Sequence, residues 1–203
     1  MLVVLIAAGY LLGSVPVAWL VAKLVTGQDL RQLGSGNVGV MNVAVSVARW
    51  AGLLVFLAEA AKGVLAVALA RSLDGGQVAV GLAVLATVVG TRWSIWLHGA
   101  GGRGNTAGMA ALLILSWLTL VIGMAIWLLA RLLTRSSFVA TRIFLVLLPF
   151  IVGLGTQSWW YALFGAALSV LYMSTHRPET DDHLLIKDRW PNLWAFLTGP
   201  RRK

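Results

Sequence analysis

The chain has 203 residues, 59% of them hydrophobic and 11% charged, with a mean hydropathy of +0.86 and a formal net charge of +9. A soluble domain of this length needs charge on about a quarter of its residues to cover its surface, so the sequence is that of a polytopic membrane protein. It contains no cysteine, which excludes disulfides, thiolate zinc sites and thiol catalysis.

The first apolar segment runs roughly from Val3 to Val25. It opens on Met1-Leu2-Val3-Val4-Leu5, without the basic flank of a cleavable signal peptide, and is expected to be retained as a helix. Gly13, Ser14 and Pro16 mark an irregularity whose freed backbone groups must be satisfied by neighbours. Lys23, Arg31 and Arg49 follow the segment, which by the positive-inside rule places the N-terminus outside and the next stretch in the cytoplasm.

That stretch is Gly34-Ser35-Gly36-Asn37-Val38-Gly39-Val40-Met41-Asn42, a glycine-and-amide loop in an otherwise apolar chain. Its small residues let backbone N–H groups turn toward an anion, and its Ser and Asn side chains add donors without burying a charge. Asp29 and Arg31 supply charge just upstream.

The next segment, about Trp50 to Ala70, carries Glu59 and Lys62 three apart on one helix face. Charges at membrane depth are expensive, and mutual pairing justifies this one as a structural polar pair; direct chemistry is the alternative. A third segment, Val78 to Leu97, leads through Gly90-Thr91-Arg92-Trp93-Ser94 into His98-Gly99-Ala100-Gly101-Gly102-Arg103-Gly104-Asn105-Thr106. These glycines deliver Arg103 to the start of a helix whose amides and dipole favour phosphate. The soluble phosphate-loop pattern is absent, which argues against a nucleotide hydrolase.

One helix through Thr106 to Leu133 would be about 42 Å long, against a hydrocarbon core of about 30 Å. It would also strand Arg131, Arg135 and Arg142 on the side opposite the other basic clusters. A break near Ser116-Trp117 corrects both faults. With two further segments, about Phe138 to Gly153 and Ser158 to Met173, the expected fold is all-α, with about seven transmembrane helices, the N-terminus outside and the C-terminus cytoplasmic. Residues 1–176 form a single transmembrane domain and 177–203 a cytoplasmic tail.

On that topology Lys23, Arg31, Arg49, Arg103, the Arg131 to Arg142 group, Arg177, Lys187, Arg189, Arg201, Arg202 and Lys203 are cytoplasmic, and only Arg71, beside Asp74, faces out. Topology and attraction to anionic headgroups explain the basic charge without nucleic acid. His176 and His183, with Glu179, Asp181 and Asp182, match no metal-ligand spacing and are expected to stay solvated, so no metal is implied. Trp50, Trp93, Trp96, Trp159, Trp160, Trp190 and Trp194 read as interfacial anchors.

In order and spacing these constellations resemble the bacterial acyl-phosphate:glycerol-3-phosphate acyltransferases, a family of seven-helix inner-membrane enzymes. Gly13-Ser14-Val15-Pro16 is similar to that family's G-S-[IV]-P, Gly27 to Arg31 to its G-x-D-x-R, and Gly34 to Asn42 to its G-S-G-N-x-G-A-T-N. Glu59 to Gly63 fits D-x-x-K-G with Glu for Asp, and Gly90 and Gly101 keep the spacing from G-H to G-G-K-G. Asn192-Leu193 with Leu197-Thr198-Gly199 resembles the closing N-I-x-R-L-x-x-G.

The departures fall where that family carries charge. Thr91 stands for its His and Arg103 for its Lys; Val40-Met41 replaces Ala-Thr, and Val45 stands for an Arg. Arg189 occupies a usual His position, and Ala195 a usual Arg.

The resemblance implies transfer of a fatty acyl group from acyl-phosphate to glycerol 3-phosphate, giving lysophosphatidic acid and phosphate at the start of phospholipid synthesis. No cofactor is implied. The implied partners are the two substrates, anionic membrane lipid and a peripheral acyl-phosphate-producing enzyme, at the bacterial inner membrane. Since acyl-phosphate is already activated, positioning and neutralising two anions can carry catalysis without a covalent nucleophile. Ser35, Arg103 and Asn192 are then the candidate catalytic residues. Arg31, Gly34, Gly36, Asn37, Gly39, Asn42, Arg49, Gly101, Gly102 and Gly104 are candidates for phosphate binding, with Arg49, one turn beyond Val45, replacing the missing cation. Two other readings stay open: a degenerate paralogue that binds phosphorylated lipid precursors without turnover, and a small transporter lined by Glu59 and Lys62, for which no internal repeat is found.

Overall fold

The computed structural model describes residues 1–176, 190 and 193–199, and every regular element among them is helical. In chain order these are α1 (Leu2–Ser14), α2 (Val17–Thr26), α3 (Val40–Ser46), α4 (Arg49–Ser72), α5 (Gln77–Arg92), α6 (Asn105–Leu115), α7 (Trp117–Thr134), α8 (Ser137–Thr156), α9 (Trp159–Thr175) and α10 (Leu193–Thr198). Single 3-10 turns cover Leu30–Gln32 and Ile95–Leu97. Among the described residues, five segments are long and apolar enough to cross a bilayer: Leu2–Thr26, Arg49–Ser72, Gln77–Leu97, Trp117–Thr134 and Ser137–Thr156. The chain is therefore a multi-pass membrane protein; α6, with 11 residues, and α9, with 17, are shorter.

The first apolar segment is broken, as Gly13, Ser14 and Pro16 foretell. Pro16 has no N–H to continue the ladder, and its ring turns Val15 out of the helical region, to ψ 115°. The freed carbonyls find donors on other helices: Thr91 Oγ1 donates to Gly13 O at 3.2 Å and Ser94 Oγ to Ser14 O at 2.5 Å. Lys62 Nζ donates to Gly13 O at 3.2 Å and Val15 O at 2.6 Å. Gly9 and Gly13, one turn apart, let α1 lie against α5: a methyl on Gly13 would fall 1.9 Å from Thr87 O. Small residues make this close approach possible where lipid gives no hydrophobic drive between helices.

The break expected near Trp117 is present and has a cause other than Gly or Pro. Ser116 is extended, at φ −162° and ψ 111°; its hydroxyl accepts from Thr119 N at the start of α7 and donates to Gly155 O, 2.5 Å away, on α8. The serine caps one helix and ties it to a neighbour. Its level is that of Ser158, whose hydroxyl reaches Gln77 Oε1 at 2.6 Å, so α6 ends where α5 begins.

At its other end α6 starts low, beside Val88 rather than Arg92: a methyl on Gly104 would meet Val88 Cγ1 at 2.9 Å. Residues 98–104 therefore dip between helices instead of running over them. Two elements go beyond the sequence expectation. Val40, Met41 and Asn42 are helical residues of α3, so the irregular loop ends at Gly39, and the C-terminal segment forms α10.

Candidate functional site

The first loop is held in shape by Asn42. Its side chain is fully buried; the amide nitrogen donates to Leu33 O and Asn37 O, both at 2.9 Å, and to Leu30 O at 3.4 Å. Its oxygen accepts from Ser46 Oγ at 2.9 Å and Ser35 N at 3.3 Å. One amide thus ties both arms of the loop to α3. Ser35, Gly36 and Asn37 are left partly exposed at the tip, with the Ser35 hydroxyl accepting from Asn37 N at 3.3 Å. Gly36 has φ +71°, the left-handed region that favours glycine.

Arg31 lies against this tip through its backbone: a methyl on Gly36 would fall 3.1 Å from the Arg31 carbonyl oxygen. It forms a paired hydrogen bond with Asp29, Nη2 to Oδ2 at 2.6 Å and Nε to Oδ1 at 3.0 Å, and those bonds hold the Asp29 carboxyl well below the usual carboxylate range.

The second loop docks directly on the first. A methyl on Gly102 would lie 2.2 Å from Val38 O, and one on Gly101 2.0 Å from Thr91 O. Gly101 N also donates to Arg92 O at 3.0 Å. Only glycine allows these backbones to approach so closely, and the contact sets Arg103 beside the first loop.

Beneath the junction lies the Glu59–Lys62 pair, both side chains buried and 2.7 Å apart. Lys62 also donates to the carbonyls freed at the helix-1 break, so the pair joins α4 to that break. Gly63, next to it, lets α6 pass within reach: a methyl there would fall 1.9 Å from Ala107 O. Thr91, which stands where the resembling family has His, is spent on Gly13 O and Thr87 O, at 3.2 and 3.0 Å.

An apolar groove of about 350 Å³ opens between α6, α7, α8 and α9. Arg103, Asn105, Thr175 and His176 line the end where α6 begins, while Met109, Leu120, Met124, Trp127 and Phe144 line its length. Its volume falls within the range of small-molecule sites. Tyr172 shapes its wall, the hydroxyl donating to Gly104 O at 3.2 Å.

His176, expected from sequence to stay solvated, is partly buried at the end of the groove. It stacks on Phe138 with ring centroids 4.6 Å apart, and its carbonyl accepts from Arg142 at 3.4 Å. Its position just after an apolar segment was the available signal. Arg49 is engaged with the C-terminal return: its guanidinium donates to Gly199 O and lies over the Trp190 and Phe196 rings at 5.8 and 5.6 Å. The two loops thus meet where Gly102 packs on Val38, with Gly101 against Thr91; Arg31 adjoins Gly36 in the first loop, and Arg49 is engaged with the C-terminal return. Asn192 lies outside the described residues, as do Arg177, His183 and Arg189.

The family model for glycerol-3-phosphate acyltransferase matches residues 3–184 of this chain. Glycerol-3-phosphate acyltransferase 2 of Moorella thermoacetica is 38% identical over 174 residues, 86% of this chain and 89% of that protein. Glycerol-3-phosphate acyltransferase of Prochlorococcus marinus (strain MIT 9515) is 34% identical over 191 residues, 92% of this chain and 94% of that one. The fold is that of a crystal structure of PlsY, an integral membrane glycerol 3-phosphate acyltransferase, at a TM-score of 0.75 and 24% identity, covering 100% of this chain and 94% of that one. The chain belongs to the glycerol-3-phosphate acyltransferase family.

Proposed function

We propose that this protein is a membrane acyltransferase that moves a fatty acyl group from acyl-phosphate to glycerol 3-phosphate, yielding lysophosphatidic acid and phosphate. The observation that carries the reading is an apolar groove whose polar end presents Arg103 beside two glycine loops in backbone contact. A hydrocarbon chain fits the groove, and an anionic head fits its mouth. PlsY, which shares the fold, was solved in a glycerol 3-phosphate form and a lysophosphatidic acid form.

In this reading Arg103 neutralises the phosphate of the acyl donor, while Ser35, Asn37 and the backbones of Gly34, Gly36 and Gly39 receive that of glycerol 3-phosphate. The backbones of Gly101, Gly102 and Gly104 set the distance between the two anions, and Asn192 orients the acceptor. The 1-hydroxyl oxygen attacks the acyl carbonyl carbon, the carbonyl–phosphate C–O bond breaks, and the hydroxyl proton leaves with phosphate. The departing group is already a good one, so charge neutralisation and alignment lower the barrier. Arg103 in place of the family's Lys keeps the charge and adds a bidentate fork.

Seven crossings, with α6 and α9 counted as short spans, put both loops at one end of the bundle. Lys23, Arg31, Arg49, Arg103, Arg131, Arg135 and Arg142 gather there, and Arg71 stands near the far end of α4. The positive-inside rule makes that end cytoplasmic in a bacterial inner membrane, where anionic lipid and an enzyme making acyl-phosphate would meet it. Purified protein in lipid, given palmitoyl phosphate and glycerol 3-phosphate, releases phosphate on this reading. Release no greater than that of a Ser35→Ala, Arg103→Ala control would reject it in favour of a binding protein without turnover.

A further inference from the structure

Helix α3 has two working faces. Asn42 and Ser46, four apart, face the first loop and hold it through the hydrogen bonds above. Met41 and Val45, also four apart, face the C-terminal return, where Val45 is fully buried in a cluster with Trp190 and Phe196. The two rings meet edge to face at 5.0 Å. A seven-residue helix is too short to hold itself and depends on packing. α4 supplies one side: a methyl on Gly52 would fall 2.4 Å from Ala44 Cβ. The return supplies another.

Arg49 closes this contact. It stands in the first turn of α4, where the helix dipole disfavours a cation, and no acidic residue occupies that turn. Gly199 O, at the C-terminal end of α10, offers the opposite dipole, and two aromatic faces cover the guanidinium. Val45, where the resembling family carries Arg, leaves an apolar seat for the rings.

We propose that Trp190 and α10 clamp α3 against the bundle, and that Arg49, Trp190 and Phe196 are positioning residues for glycerol 3-phosphate. The path runs from the rings through Val45 and Met41 to α3, and from Asn42 to the loop tip. The groove between α6 and α9 lies off that path. The inference rests on the acyltransferase reading for its kinetic arm only; docking of the return is tested separately.

Phe196→Ala and Arg49→Gln should each raise the KM for glycerol 3-phosphate about fivefold or more, with the KM for palmitoyl phosphate unchanged and Arg49→Lys intermediate. Thermal-shift titration with glycerol 3-phosphate should show the same weakening whether or not the protein turns over. Because the chain has no cysteine, Ala44→Cys with Ala195→Cys gives a clean pair of thiols in that cluster. Oxidation should yield a cross-linked band, and in the Phe196→Ala background it should restore the wild-type KM and affinity. Absence of the cross-link both on oxidation and with a short bismaleimide, which does not require disulfide geometry, overturns the clamp. So does a cross-link that reversibly abolishes turnover, which would make the return a gate, or a Phe196→Ala protein with wild-type affinity for glycerol 3-phosphate.

Discussion

Gly102 packs against the carbonyl of Val38 so closely that a methyl group on it would lie 2.2 Å from that oxygen. The two loops that carry the candidate site are 64 positions apart at these residues, 102 − 38, and this contact fixes their separation.

Gly102→Ala must therefore push the loops apart by more than the flexibility of a backbone carbonyl absorbs. Acyl transfer needs both anions within reacting distance, and a misplacement of about 1 Å costs on the order of a hundredfold in rate. The expected outcome is loss of phosphate release by that order while the protein still extracts and elutes as the wild type does. Gly76→Ala, where a methyl meets nothing within 4 Å, is the matched control and should keep full activity.

Composition and periodicity made the apolar segments legible, and charge balance predicted the break at Ser116, because both follow from local sequence and membrane thickness. The glycine loops were legible as loops, and the Glu59–Lys62 pair as a pair. Their convergence was not: that Thr91, Ser94 and Lys62 would satisfy Gly13, Ser14 and Val15 depends on helix packing that no local pattern encodes. Asn42 illustrates the limit best. Two amides among glycines pointed to an anion, and that one of them also ties the loop to α3 could be seen only once Val40–Ser46 was a helix. Arg49 likewise needed the return of a segment 150 positions away before its partners could be seen.

Arg103 sits at the groove's polar end, where a fixed cation is worth most if it neutralises the donor phosphate. Arg103→Lys should retain a measurable fraction of kcat/KM, and Arg103→Gln should lose about a hundredfold or more. Steady-state phosphate release across palmitoyl phosphate concentrations checks this. Equal rates in the two variants would remove Arg103 from the site.

The Asp29–Arg31 pair predicts an acid limit. Hydrogen bonding to Arg31 lowers the folded-state pKa of Asp29, so the unfolded chain binds its proton first as pH falls. The pair's contribution is fully present above the unfolded carboxylate value of about 3.9 and is lost as pH drops through the lower folded value. Thermal stability from pH 5 to 8 should therefore be the same in wild type and Asp29→Asn apart from a constant offset. An offset that changes across that window would contradict the assignment.

Lys62 donates to Glu59 and to two carbonyls freed by Pro16, so its removal has two costs. Lys62→Met leaves Glu59 buried without its partner, and breaking a buried pair from one side costs about 3–5 kcal/mol. It also leaves Val15 O with Val17 N as its donor and Gly13 O with Thr91 Oγ1, each short of one hydrogen bond, and a lost hydrogen bond costs about 0.5–1.5 kcal/mol. Replacing both charges, Glu59→Leu with Lys62→Met, removes the first cost and keeps the second. The double variant should therefore melt above the single one in detergent, though below wild type. If the pair instead handled a substrate or a translocated ion, the double variant would recover stability and lose all acyl transfer. A structural role predicts that activity returns in step with the melting temperature.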